Sequence, residues 1–249
     1  MIMTPKIGLN LERNYSINFD LPERDRKLIK FIIIHYTGMK KESEALKRLS
    51  NPKSKVSTHY FIKNNGTVIN MVPDDYVAWH AGISHWKNYK SLNKYSIGVE
   101  ISNPGHNHKY KNFSQKQISS LTKLLKMIIK KYKIKRENIL GHSDIAPSRK
   151  KDPGEKFPWR KLAKKKISYW HKISEKKIKI YRGKKLLAFE KKLFLKNLYK
   201  FGYYKVKEKS FNQNMSNLTK AFQRRFRQDL INGKIDKECL LISKSLIKN

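Results

Sequence analysis

Two histidines and an aspartate stand where a chain could bring them onto one metal ion. His35 closes the β-branched run "KFIIIHYTG", residues 30–38. His142 follows a second apolar run, "ENILG". Asp152 comes ten positions later in "GHSDIAPSRKKDPGEKFPW", a loop stiffened by Pro147 and Pro153. A catalytic zinc takes three protein ligands from His, Asp or Glu and leaves a fourth position for water. Strand ends and rigid loops are places from which such ligands converge. Glu100, near the end of "YSIGVEIS", adds a carboxylate on a neighbouring strand. Each residue also has a plainer reading: His35 as a histidine at the edge of a core, His142 as a turn cap, Asp152 as the start of a turn before proline.

The elements that must deliver these residues follow from the hydropathy pattern. Residues 30–38 read as a buried strand and "KESEALKRLSN" as a short helix. "STHYFIKNNGTVINMV" reads as two strands around an Asn-Asn-Gly hairpin, and residues 95–102 as another strand. "FSQKQISSLTKLLKMIIKKYK" has Ser114 as an N-cap, apolar residues at helical spacing and a lysine-rich end that suits the helix dipole. "ENILGHSD" is a short last strand. This order predicts an α/β domain with a mixed central β-sheet flanked by helices, over residues 1–165. Residues 166–187 read as a basic linker. Residues 188–249 read as a small all-α module of three amphipathic helices, "FEKKLFLKNLYKFGYY", "NLTKAFQRRFRQDL" and "DKECLLISKSLIKN".

A chain of 249 residues has room for one medium domain plus a small one. With 39% hydrophobic residues, 13 Tyr, 11 Phe and 4 Trp, it can bury a core and is not a disordered chain. A net charge of +38 predicts attraction to polyanions: nucleic acid, anionic lipid or a carboxylate-rich wall polymer. Heavy lysine use along the whole chain, as an AT-rich genome would give, is the plainer explanation. No recognition helix, RNP-like strand or zinc-finger spacing points to specific nucleic-acid binding. The single Cys239 excludes an intramolecular disulfide and a Cys-based zinc cluster, and suits a reducing compartment. No stretch approaches the ~20 apolar residues that cross a bilayer. The N-terminal "MIMTPKIGLNLERNYSINFD" lacks the apolar core of a signal peptide. A cytoplasmic location is therefore expected, with the periplasm or cell wall as the alternative. The oligomeric state is left open.

The segments "FIIIHYTG", "VSTHYFIKNNGTV", "AWHAG", "SIGVEI" and "GHSDIAPSRKKDPGEKFPW", in this order, resemble the zinc-dependent N-acetylmuramoyl-L-alanine amidases of bacteria. That family shares its fold with phage T7-type lysozyme and the peptidoglycan-recognition proteins. The resemblance spans residues 30–165. It implies one zinc ion on His35, His142 and Asp152, Glu100 as the catalytic carboxylate, and Lys150 as a lysine facing the reacting carbonyl. Zinc would lower the pKa of a water toward ~7. Glu100 would accept its proton and pass it to the leaving amine. Lys150 would stabilise the oxyanion, although Arg149 or Lys151 could point inward instead.

By the same resemblance Trp79 and His80 of "AWHAG" border the substrate cleft, with burial of the Trp under the loop as the alternative. Asn93 is a further candidate on the substrate side, positioning that loop. His59 reads as structural, and His85, His106, His108 and His171 as surface residues. "LKNLYKFGYY" and "NLTKAFQRRFRQDLINGKIDKECL" resemble small three-helix peptidoglycan-binding domains, with Asn232-Gly233 in place of the usual acidic residue and glycine. Glycan binding and simple packing against the catalytic domain both stay open for this module. The implied function is zinc-dependent hydrolysis of the amide between N-acetylmuramic acid, or its 1,6-anhydro form, and L-alanine of stem peptides. The setting is cell-wall recycling or degradation, with peptidoglycan or a muropeptide as partner. The alternative is a non-catalytic peptidoglycan-fragment recognition protein. Such a protein would be expected to have lost a ligand or the carboxylate, and all five residues are present.

Overall fold

The structure is a computed structural model that describes residues 8–205 and 211–248. Outside them lie residues 1–7, part of the N-terminal stretch on which the expected location rests, together with 206–210 of the helical module and Asn249. The chain begins with β1 (Leu11–Arg13), β2 (Phe19–Asp20), β3 (Phe31–Tyr36), α1 (Glu42–Ser50), β4 (Tyr60–Ile62) and β5 (Val68–Asn70). It continues through β6 (Val77–Ala78), β7 (His85–Trp86), β8 (Tyr89–Lys90), β9 (Ser96–Ile101), α2 (Gln115–Tyr132) and β10 (Ile139–Gly141). Helices follow: α3 (His142–Ile145), α4 (Trp159–Lys164), α5 (Glu175–Lys179), α6 (Ala188–Phe201), α7 (Phe211–Phe226) and α8 (Lys237–Ile247).

Six strands form one mixed sheet in the order β1-β5-β4-β9-β3-β10. The apolar run of β3 is explained by its place: it pairs in parallel with β9 on one side and β10 on the other, covered on both faces. The Asn-Asn-Gly turn joins β4 and β5 as an antiparallel hairpin. There Lys63 N donates to Thr67 O at 2.8 Å, and Gly66 takes a positive φ of 89°. Helix α2 starts as its sequence dictates: Gln117 N donates to Ser114 Oγ, and Ser114 N to Gln117 Oε1.

Alternation along the strands assigns the two faces. Ile32, Ile34, Ile97, Val99 and Ile101 pack under α2 against Leu121, Leu124, Leu125 and Ile128. Phe31, Ile33 and Leu140 pack on the other side, in one core with Phe194, Leu198, Phe222 and Leu240 of the C-terminal helices. His35 shares the parity of Phe31 and Ile33, and Glu100 is out of phase with Val99 and Ile101. Both therefore belong to the face that the helical module helps to cover.

Three C-terminal helices are present as expected, although α7 starts at Phe211 and ends at Phe226 where the amphipathic pattern pointed to residues 217–230. Residues 166–187, read as a linker, hold α5 and bury Ile167, Tyr169, His171, Ile178 and Leu186. Lysines between these apolar residues masked their burial in the sequence. His171, read as a surface residue, is 6% exposed beside Trp170. His59 is buried and structural as expected, its Nδ1 accepting from Gly98 N. Among the described residues no helix is long and apolar enough to cross a membrane.

Candidate metal centre and active site

His35 and Glu100 are register neighbours on β3 and β9. Gly141, the last residue of β10, pairs with Ile34, so His142 begins α3 one residue further along, beside His35. The loop returns Asp152 to the same place, its carbonyl accepting from Ser143 N at 2.9 Å. His35 Nδ1, His142 Nδ1 and Asp152 Oδ2 then form a triangle with sides of 2.9, 3.0 and 3.0 Å. All three residues are buried. Tetrahedral zinc with bonds of about 2.0–2.1 Å holds its ligands roughly 3.3 Å apart. The triangle needs to widen by only a few tenths of an ångström.

The charge states suit a cation. Burial pushes the Asp152 carboxyl up, but His142 and His35 outweigh it and hold the group well below the usual carboxylate range. Burial, followed by the neighbouring His142, lowers His35 to about 4. An ionised carboxylate and a neutral imidazole are the forms in which these groups ligate metal.

Hydrogen bonds at the far ring nitrogens set which nitrogen faces the centre. His142 Nε2 lies 3.0 Å from Ala81 O, which only accepts, so Nε2 donates there and Nδ1 is the nitrogen that would face a metal. A longer chain does the same for His35. Ser96 Oγ donates to Leu92 O at 2.6 Å, His80 Nε2 to Ser96 Oγ at 3.3 Å, and His35 Nε2 to His80 Nδ1 at 3.1 Å. The terminal carbonyl favours one direction, the one in which His35 Nδ1 would be free to ligate a metal. The His80 ring lies against Gly98: a Cβ there would stand 2.4 Å from His80 Cγ. Glycine in "SIGVEI" is thus the space that His80 needs.

The residues expected on the substrate side divide. His80 is buried with both ring nitrogens taken by His35 and Ser96, leaving none for a sugar or peptide. Asn93 holds the loop, its Oδ1 accepting from His80 N and Ala81 N at 3.1 and 2.6 Å. Trp79 is half-buried and lines an open cavity of about 600 Å³ over the cluster. Its Nε1 donates to Asp20 Oδ1.

Glu100 and Lys150 line the same cavity. Among the described residues, Glu100 Oε2 is buried with no hydrogen-bond partner. Its pKa is pushed up to about 8, first by burial and then by the Asp152 charge, against the pull of Lys150. Arg149 is committed elsewhere, donating to Ala81 O and Ile83 O at 2.9 and 2.8 Å. Lys151 is exposed. Of the basic run, Lys150 is the residue whose charge is felt at both Glu100 and His35.

Sequence reasoning missed the braces of the Asp152 loop. Tyr36 OH lies 2.8 Å from His106 Nδ1, His106 Nε2 lies 3.1 Å from Glu155, and Tyr110 stacks on His106 and donates to Pro153 O. His106, read as a surface residue, is half-buried and lines the cavity. It sits in an aperiodic loop that carries no burial signal.

The raised pKa of Glu100 has a thermodynamic consequence. Its folded pKa of about 8 lies above the ordinary value of roughly 4.3. The folded metal-free protein therefore binds more protons than the unfolded chain between those values, and stability falls as pH rises through the window. Glu100→Gln is expected to remove this loss. Metal-free variant and wild type should melt together at pH 4.5, with the variant the more stable at pH 8. Coincident melting at both pH values would contradict the burial argument.

A buried His–His–Asp cluster that could hold a metal ion lies in one open cavity with a carboxylate and a lysine, the donor and proton-handling groups that a hydrolase needs. The chain belongs to the N-acetylmuramoyl-L-alanine amidase family (Amidase_2), which matches residues 24–155. It is 35% identical over 232 residues to the N-acetylmuramoyl-L-alanine amidase AmiD of Escherichia coli (strain K12), covering 88% of this chain and 83% of that protein. It is 39% identical over 108 residues to the 1,6-anhydro-N-acetylmuramyl-L-alanine amidase AmpD of Haemophilus influenzae, covering 43% of this chain and 56% of that protein. The solved complex of E. coli AmiD with anhydro-N-acetylmuramic acid-L-Ala-D-gamma-Glu-L-Lys matches with a TM-score of 0.78 at 34% identity, covering 92% of this chain and 91% of that one. The protein is an N-acetylmuramoyl-L-alanine amidase, and the likeness to AmiD extends beyond the sheet into the helical module.

Proposed function

We propose that His35, His142 and Asp152 hold one zinc ion and that the site cleaves the amide between N-acetylmuramic acid and L-alanine in muropeptides, the 1,6-anhydro form included. The observation that carries this reading is the convergence of the three ligand atoms in one cavity with the Glu100 carboxylate, whose buried Oε2 has no hydrogen-bond partner among the described residues. Two imidazoles and a carboxylate are a donor set suited to zinc. When bound, zinc supplies Lewis acidity and brings the ionisation of water close to neutral pH. Glu100 takes a proton from the attacking water and delivers it to the departing alanine nitrogen. The Lys150 ammonium stabilises negative charge on the carbonyl oxygen as the carbon becomes tetrahedral. Trp79 and Tyr36 contribute walls of the substrate cavity. Similarity to AmpD and to the AmiD complex supports the anhydro substrate.

Lys150→Ala is expected to lower kcat by about 10²–10³ with zinc content unchanged, and Lys150→Arg to recover part of the loss. Initial rates on a defined muropeptide, with metal analysis of each preparation, check this. An unchanged kcat removes Lys150 from the chemistry. Digests of an anhydro-muropeptide and of intact sacculi, run side by side by mass spectrometry, test the substrate. Release from sacculi alone would contradict the anhydro assignment.

A further inference from the structure

We propose that Arg225 of α7, together with Tyr203, is a positioning residue for the metal site, acting through Asp144 on the turn that carries His142. The helical module is then a part of the amidase centre. This inference rests on the zinc reading of His35, His142 and Asp152.

Asp144 lies two residues beyond His142 in α3 and is 1% exposed. Its Oδ2 accepts from Gly141 N at 2.8 Å and from Arg225 Nη1 at 2.7 Å, and its Oδ1 accepts from Tyr203 OH at 2.7 Å. Arg225 Nη2 donates to Ile139 O at 2.9 Å. The guanidinium therefore spans the end of β10 and the start of α3, bracketing the Gly141–His142 junction. It is itself 1% exposed and stacks over the Trp159 ring at 4.7 Å. A helix of one turn cannot hold its own place, so α3 takes its position from these contacts. The same turn also holds Asp152, through Ser143 N. A tilt of α3 displaces two of the three ligands at once. Without Arg225, Asp144 would remain as a buried carboxylate lacking its cation, a state that drives local rearrangement.

The test is the zinc dissociation constant of the full chain, from competition with a chromophoric chelator, at a temperature where circular dichroism shows every variant folded. R225M is expected to weaken zinc about 10–100-fold, the usual range for loss of a group that orients a ligand. Y203F, which removes one of the bonds to Asp144, should fall between R225M and wild type. F194L opens the shared core beside Phe222 without touching Asp144; it should lower Tm and leave zinc affinity at the wild-type value. Wild-type zinc affinity in folded R225M and Y203F would overturn the proposal. So would a loss in F194L equal to that in R225M at the same drop in Tm, because general loosening would then explain both. If R225M fails to fold, Y203F against F194L decides the question. A wild-type chain that binds no zinc overturns the metal reading itself, and that outcome is visible before any variant is compared.

Discussion

His142→Ala is expected to lose its zinc and, with it, about 10³-fold or more in kcat/KM. First, the substitution leaves two donors, His35 and Asp152, where a catalytic zinc needs three. Second, Lewis acidity and water activation go with the ion, which removes the main source of rate in this account. The loss should be local. Alanine keeps the backbone of α3, and Asp144 still accepts from Gly141 N, Arg225 and Tyr203. Metal-free variant and metal-free wild type should therefore melt within a few degrees of each other. A variant that keeps stoichiometric zinc would show that His142 is not a ligand.

Glu100→Gln is expected to lower kcat by about 10²–10⁴ while zinc content stays at one per chain. Gln is nearly isosteric with Glu but cannot shuttle a proton. The Glu100 side chain lies outside the ligand triangle, so binding of the ion should not change. KM should move little, because the proposed role is in bond making and breaking. Loss of zinc along with activity would mean that Glu100 helps to hold the ion. An unchanged kcat would transfer proton handling to another group in the cavity. The same variant separates function from stability, since removal of the unpaired carboxyl is expected to stabilise the metal-free protein above pH 5 while activity collapses.

The parts of this site legible in the sequence were those written in strong local patterns. The apolar run of β3 placed His35, the Asn-Asn-Gly turn placed the hairpin, and the capped amphipathic repeat placed α2. The order of motifs then carried the family. What stayed hidden depends on contacts between distant segments. The role of His80 follows from Gly98, which leaves room for its ring on β9, and no periodicity records such a pairing. Arg149 and Lys150 are equivalent on paper, and only the Ala81 and Ile83 carbonyls separate them by engaging Arg149. Short strands such as β2, β6, β7 and β8, two residues each, are too brief to show a period. Burial of residues 166–187 escaped notice because a basic composition was read as exposure, whereas every few residues an apolar side chain closes the shared core. Charge along that core escaped as well: Arg225 looks like one more cation in a lysine-rich chain, and its 1% exposure has meaning only beside Asp144.

The central claim is that the His35–His142–Asp152 cluster drives cleavage of the muramoyl–alanine amide. The most direct measurement is mass-spectrometric detection of free stem peptide from a defined anhydro-muropeptide, using the full chain before chelation, after chelation, and after zinc is restored. Release of a peptide with a new alanine N-terminus is expected, abolished by the chelator and recovered on addition of one equivalent of zinc. Release that persists in chelated protein shown by metal analysis to be zinc-free would contradict it.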